Sequence, residues 1–148
     1  MTSTLVRVRL TTPGLDSAMR QARFGPGGPF ALDTGAWAGR TLAEVAAADP
    51  EAVHRWTTDT AFAPPGGESV DALLVRAGEW LGALAPGGHA VTADQSFVRA
   101  AVTHALGLPA RTFWRLDVPP GTLTELTGRS GRWNLRLGTP APTHEPGG

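Results

Sequence analysis

In HAVTADQSFVRAAVTHALGLP, residues 89–109, Asp94 stands where a short apolar strand gives way to an amphipathic helix. A carboxylate at that junction has two uses. It is among the best helix N-caps, worth about 1 kcal/mol over alanine. It is also an ionisable group at the end of a strand, where acid–base chemistry is often placed. Glu68 carries the same ambiguity at the head of the strongest helical pattern, because a first-turn acid is favoured by the helix dipole. Arg7 and Arg9, in LVRVRL, could hold a substrate carboxylate or oxyanion. An arginine buried on an inner strand needs a partner, so a structural pair between Arg7 and Glu68 or Asp94 stays open. Gln95 opens the helix whose first amides could stabilise developing negative charge. Trp37, in a Gly-rich loop, is a candidate ligand contact, with core packing as the alternative. His54 and His104 lie within helices, His89 starts a strand and His144 is in the tail, so all four read as structural or solvated.

The elements that would position these residues follow from periodicity. LVRVRL (5–10) reads as a strand, and Asp16 could cap a short helix to Arg23 with Ala18, Met19 and Ala22 inward. Thr41–Ala47 and Glu51–Thr57 read as two helices broken at Asp49-Pro50. From Glu68 to Leu84, Val70, Leu73, Leu74, Ala77, Leu81 and Leu84 keep the spacing of one buried helical stripe. His89–Ala93 is a strand, and Val98, Ala101, Val102, Ala105 and Leu106 mark the helix after it. Thr122–Thr127 and Arg132–Leu137 flank GRSG, a hairpin signal. The expectation is a single α/β domain over residues 1–138, three-layered, with a mostly parallel sheet flanked by helices and a C-terminal edge hairpin. TPAPTHEPGG, at 139–148, reads as a flexible tail.

Composition narrows the classes. The chain has 148 residues, a formal net charge of zero and 18% charged residues, which gives no footprint for nucleic acid or an anionic membrane. Without cysteine there are no disulfides, thiolate nucleophiles or Cys-based metal sites. No cofactor or metal is called for. No run of about 20 apolar residues suggests a membrane span, so a cytoplasmic protein is the default. All thirteen basic residues are arginine, and Lys, Ile and Tyr are missing. That bias reads as a GC-rich coding sequence, so arginine preference by itself carries no function.

LVRxRLT (5–11), DTGAWAGRTLAEV (33–45), PPGGES (64–69), VTADQSFVRAAVTHALGLP (91–109), FWRLDVPPGTLTEL and GRWNL together resemble the histidine phosphatase superfamily, the phosphoglycerate mutase-like fold. The resemblance implies a shortened member lacking both catalytic histidines. The nucleophile position reads Val8 within Arg7-Val8-Arg9, and counting back from Arg99 puts Asp94 at the second histidine. Relatives carry about one more helix and strand between residues 25 and 31, including a second phosphate-binding arginine. Arg7 and Glu68 match the family's pocket arginine and proton donor.

Valine has no lone pair, so phosphohistidine cannot form at residue 8, and the Asp94 carboxylate repels a phosphoryl dianion. If the fold is kept, Glu68 and Asp94 face one cleft and push their pKa values apart. The expected function is a repurposed enzyme without phosphatase activity, performing cofactor-independent isomerisation, cyclisation, elimination or hydrolysis on a small metabolite. Asp94 and Glu68 would be catalytic, with Arg7, Arg9, Val8, Trp37 and Gln95 lining the substrate. The alternative is a non-catalytic pseudophosphatase binding a metabolite or a partner protein. The missing segment would expose a sheet edge or apolar face, which argues for a homodimer.

Overall fold

The computed structural model describes residues 4–138. Its elements are β1 (Val6–Thr11), α1 (Ser17–Arg20), α2 (Leu42–Ala48), α3 (Pro50–Thr58), α4 (Val70–Gly82), β2 (Gly87–Thr92), α5 (Gln95–Ala105), β3 (Leu123–Arg129) and β4 (Arg132–Arg136), with 3-10 turns at Gly35–Trp37 and Ala110–Arg115. Each helix is started by a side chain that accepts from an amide in its first turn: Asp16, Thr41, Asp49, Ser69 and Asp94. The helix expected from Asp16 to Arg23 is cut to one turn with no buried residue, so its expected inward face does not form. The tail at 139–148 lies outside the described residues.

The four strands run in the order β2-β1-β3-β4. β1 pairs parallel with β2 and antiparallel with β3, and β3 pairs antiparallel with β4. The expected α/β fold and edge hairpin are present, but the sheet is mixed, since only one of the three pairings is parallel. The hairpin turns through Ser130 and Gly131, both at positive φ (53° and 79°), as a two-residue primed turn requires.

Strand alternation decides what covers the sheet. Val6, Val8 and Leu10 are buried, and the register places Leu126 opposite Val8 on the same face. α4 and α5 pack together over the core with Leu73, Ala77, Leu81, Phe97, Val98 and Ala101. Arg7, Arg9 and Thr11 point the other way and are exposed. Helices therefore cover one face, and the second layer expected over the other face is absent among the described residues. The Gly/Pro passage between residues 24 and 31 leaves nothing to form it.

PPGG has a packing reason. The Ala36 amide donates to the Pro65 carbonyl at 2.8 Å and the Glu68 amide to the Asp33 carbonyl at 2.8 Å. A Cβ at residue 67 would come 2.7 Å from the Asp33 carbonyl oxygen, so only glycine allows this close approach.

Candidate functional site

Asp94 follows the C-terminal end of β2, beside the matching end of β1, which is where open α/β sheets bind ligands. Its Oδ1 accepts from the Phe97 amide at 2.7 Å, and its Oδ2 accepts from the Leu32 amide at 3.1 Å. Its own amide donates to the Phe30 carbonyl at 2.9 Å. Asp94 thus caps α5 and also ties down the strap at 30–33.

Glu68 grips the same strap from its other side. Its Oε1 accepts from the Asp33 amide at 3.1 Å, and the Arg76 guanidinium closes on both its oxygens, Nε to Oε2 at 3.0 Å and Nη2 to Oε1 at 2.8 Å. Arg76 also donates to the carbonyls of Pro29 and Ala31. Hydrogen bonding to Glu68 is the largest of the effects on Arg76 and raises its pKa.

A cleft of about 330 Å³ opens at the head of α5, lined by Asp94, Gln95, Ser96 and Arg99, with Arg23 and Trp56 across from them. Met19, Phe24 and Leu32 make much of its wall apolar. Glu68 does not border it, so the expected pair of catalytic carboxyls meets at the strap and not around one cavity. Burial pushes the Asp94 carboxyl above its usual range, while the Phe97 and Leu32 amides and then Arg99 and Arg76 pull it back. The cause is desolvation, not a second carboxylate. Burial lowers the Arg99 pKa, opposed by Asp117 and Asp94. Arg99 Nε donates to the Leu116 carbonyl at 2.8 Å, and its terminal nitrogens make no hydrogen bond among the described residues.

The remaining expected ligand contacts fall elsewhere. Val8 is fully buried in the core. Because it points into the core, its neighbours Arg7 and Arg9 must point to the open face, where they border a different hollow with Glu125 and Arg136. Arg7 makes no ion pair with Glu68 or Asp94; it is exposed. Trp37 is 4% exposed and packs against Phe24, Trp56 and Phe62 at 5.3, 5.7 and 6.1 Å between ring centroids. Gln95 borders the cleft, but its amide nitrogen donates to the Val118 carbonyl at 2.7 Å. The amide of Phe97, available in the sequence reading for an oxyanion, is occupied by Asp94.

Among the described residues no histidine lines the cleft: His54 and His104 are exposed on helices, and the His89 ring bonds the Ala85 carbonyl at 2.7 Å. No cluster of three metal-ligating side chains occurs among them either. Reading the sequence for chemistry missed Arg99 and Arg76. One signal for Arg99 was present, a lone charge in the otherwise apolar FVRAAV of α5.

A mixed sheet with a cleft at the ends of its parallel strands is the α/β arrangement in which ligands are commonly held at that place. The particular family is settled by sequence: the chain belongs to the histidine phosphatase superfamily (branch 1), whose profile matches residues 31–139. Solved structures with a similar fold include mycobacterial glucosyl-3-phosphoglycerate phosphatase complexed with VO3, at 20% identity and a TM-score of 0.69, covering 88% of this chain and 96% of that one. Another is the alpha-ribazole phosphatase of Shigella flexneri, at 14% identity and a TM-score of 0.72, covering 88% and 94%. These identities speak for the fold alone. A curated relative, the bifunctional protein Rv2228c of Mycobacterium tuberculosis, is 57% identical over 44 residues. That match covers 30% of this chain and only 12% of the relative's length. No helix among the described residues is long and apolar enough to cross a membrane.

Proposed function

We propose that this chain is a histidine-phosphatase-fold protein that does not hydrolyse phosphate esters and that binds a small, largely apolar carboxylic acid in the cleft beside Asp94. The observation that carries this reading is an Arg99 guanidinium whose terminal nitrogens have no hydrogen-bond partner among the described residues, in a cleft without histidine. A half-buried cation with free N–H groups is the natural seat of a carboxylate, and Phe24, Trp56 and Leu32 suit an apolar body. Asp94 repels a phosphoryl dianion at the same place about twice as strongly as it repels a carboxylate, which brings half the charge.

The test has two arms. Purified protein should release no p-nitrophenol from p-nitrophenyl phosphate above the buffer rate. Titration with aryl and alkyl carboxylates should change tryptophan emission through Trp56, and Arg99→Gln should abolish that change. Turnover of the phosphate ester, or carboxylate binding indifferent to residue 99, would refute the proposal.

A second reading, an enzyme that moves a proton through Asp94, is favoured by one observation, the upward push on its carboxyl in a cleft. In this reading Asp94 acts without Glu68, which Arg76 holds. Unchanged turnover of a cognate substrate by Asp94→Asn would remove it. For a homodimer the argument from an exposed apolar face is weakened, because the uncovered face is charged. A two-fold contact would use the open edges, β2 or β4.

A further inference from the structure

The uncovered face of the sheet is not an ordinary solvated one. Register puts Arg7, Arg9 and Thr11 of β1, Leu123, Glu125, Thr127 and Arg129 of β3, and Arg132, Asn134 and Arg136 of β4 on this side. Five of the thirteen arginines in the chain therefore share one face with a single strand carboxylate, Glu125. Glu125 is already taken, with Arg9 at 3.3 Å and Arg136 at 3.6 Å. Arg7, Arg129 and Arg132 make no ion pair among the described residues. Arg129 lies directly opposite Arg132 across the hairpin, a like-charge pair that opposes the pairing of its own strands. Two hollows, of about 410 and 500 Å³, run along these residues and share Leu5 and Thr127.

We propose that this face docks an acidic, extended segment of a partner polypeptide. Arg7 and Arg9 are two residues apart on one strand, so their stems repeat at about 6.8 Å, the repeat of alternate side chains in an extended chain. Carboxylates at every second position can meet both, and a further one can bridge Arg129 and Arg132, relieving their repulsion by bidentate pairing. A nucleic acid fits less well, since no strand residue on this face is aromatic to stack a base and Glu125 stands in the middle of it. An anionic bilayer finds Leu123 as the one large apolar strand residue of β1, β3 and β4 on this face, too little for an anchor. A second copy laid face to face would oppose arginine to arginine.

The probe is a fluorescein-labelled peptide of alternating aspartate and threonine, followed by anisotropy against the whole chain. Saturable binding that weakens with salt is expected. The combined variant Arg7→Gln, Arg129→Gln, Arg132→Gln touches no ion pair of the fold, should keep its far-UV circular dichroism, and should weaken binding about tenfold. Absence of saturable binding, full affinity in the folded triple variant, or tighter binding to a single-stranded oligonucleotide or to phosphatidylserine vesicles would each overturn the proposal. So would a sedimentation coefficient that falls in the triple variant, which would assign the face to a second copy.

Discussion

Replacing Asp94 by alanine tests the structural account of the cleft. Two interactions disappear together: the cap on the Phe97 amide at 2.7 Å and the tether to the Leu32 amide at 3.1 Å. A cap is worth about 1 kcal/mol and a hydrogen bond to a charged acceptor about 1.5–3 kcal/mol, against which stands the relief of burying a charge. The net loss at neutral pH should be about 2 kcal/mol. For a domain of this size that lowers the melting temperature by about 4–8 °C. Asp94→Asn should fall between, since its carbonyl keeps one amide and its NH2 faces the other.

The pH dependence has a definite sign. Burial raises the folded carboxyl above its ordinary 3.8, so between the two values the folded state holds the proton more than the unfolded chain does. The stability of the native protein relative to the alanine variant is therefore largest below 3.8 and shrinks as pH rises through the raised value. Melting both proteins by circular dichroism across this window measures the gap directly, because the other titrating groups cancel. A gap that widens as pH rises would mean that the amides and arginines outweigh burial, and a loss under about 0.5 kcal/mol would leave Asp94 with no role in the fold.

Two further outcomes separate the groups that hold the structure from those that do not. Glu68→Gln takes from Arg76 its charged partner in a pair whose side chains are 15% and 35% exposed, and should lower stability by about 1–3 kcal/mol. A urea midpoint that drops with an unchanged slope reads this out, while Arg9→Gln, 60% exposed, should stay within about 0.5 kcal/mol. Val8→His forces an imidazole into a fully buried apolar site and should cost more than about 3 kcal/mol without creating p-nitrophenyl phosphate hydrolysis. Hydrolysis by a folded Val8→His protein would show that residue 8 does face a reaction site.

The elements were legible because their signals are local. The stripe from Val70 to Leu81, the proline after Asp49 and the GRSG turn each act within a few residues, and α4, α3 and the hairpin formed where they point. The cap at Asp94 was legible for the same reason. Sheet order was not, because the pairing of β1 with β3 joins residues more than 110 positions apart and leaves no mark in either segment alone. The placing of Arg7 and Arg9 failed for a simpler cause. Matching LVRVRL to a motif fixed which residues were of interest, but the period of two decides which way they point, and Val8 takes the core side. Arg76 was hidden because its partners are Glu68 and two strap carbonyls, the latter brought close only by the folded path of residues 29–33.

The strap also changes where function should be sought. Amides at Leu32, which is buried, and at Asp33, which is exposed, belong to no sheet ladder, and a buried amide needs an acceptor. Asp94 and Glu68 supply them, and Arg76 completes the clamp by binding Glu68 and two strap carbonyls. The fold therefore accounts for both carboxylates without any reaction. It gives the terminal nitrogens of Arg99 no hydrogen-bond partner in the cleft, and it sets Arg7, Arg129 and Arg132 on a face where only Glu125 answers them. Charge that the structure does not use is the part of this chain that calls for a ligand, and in this protein that charge is positive.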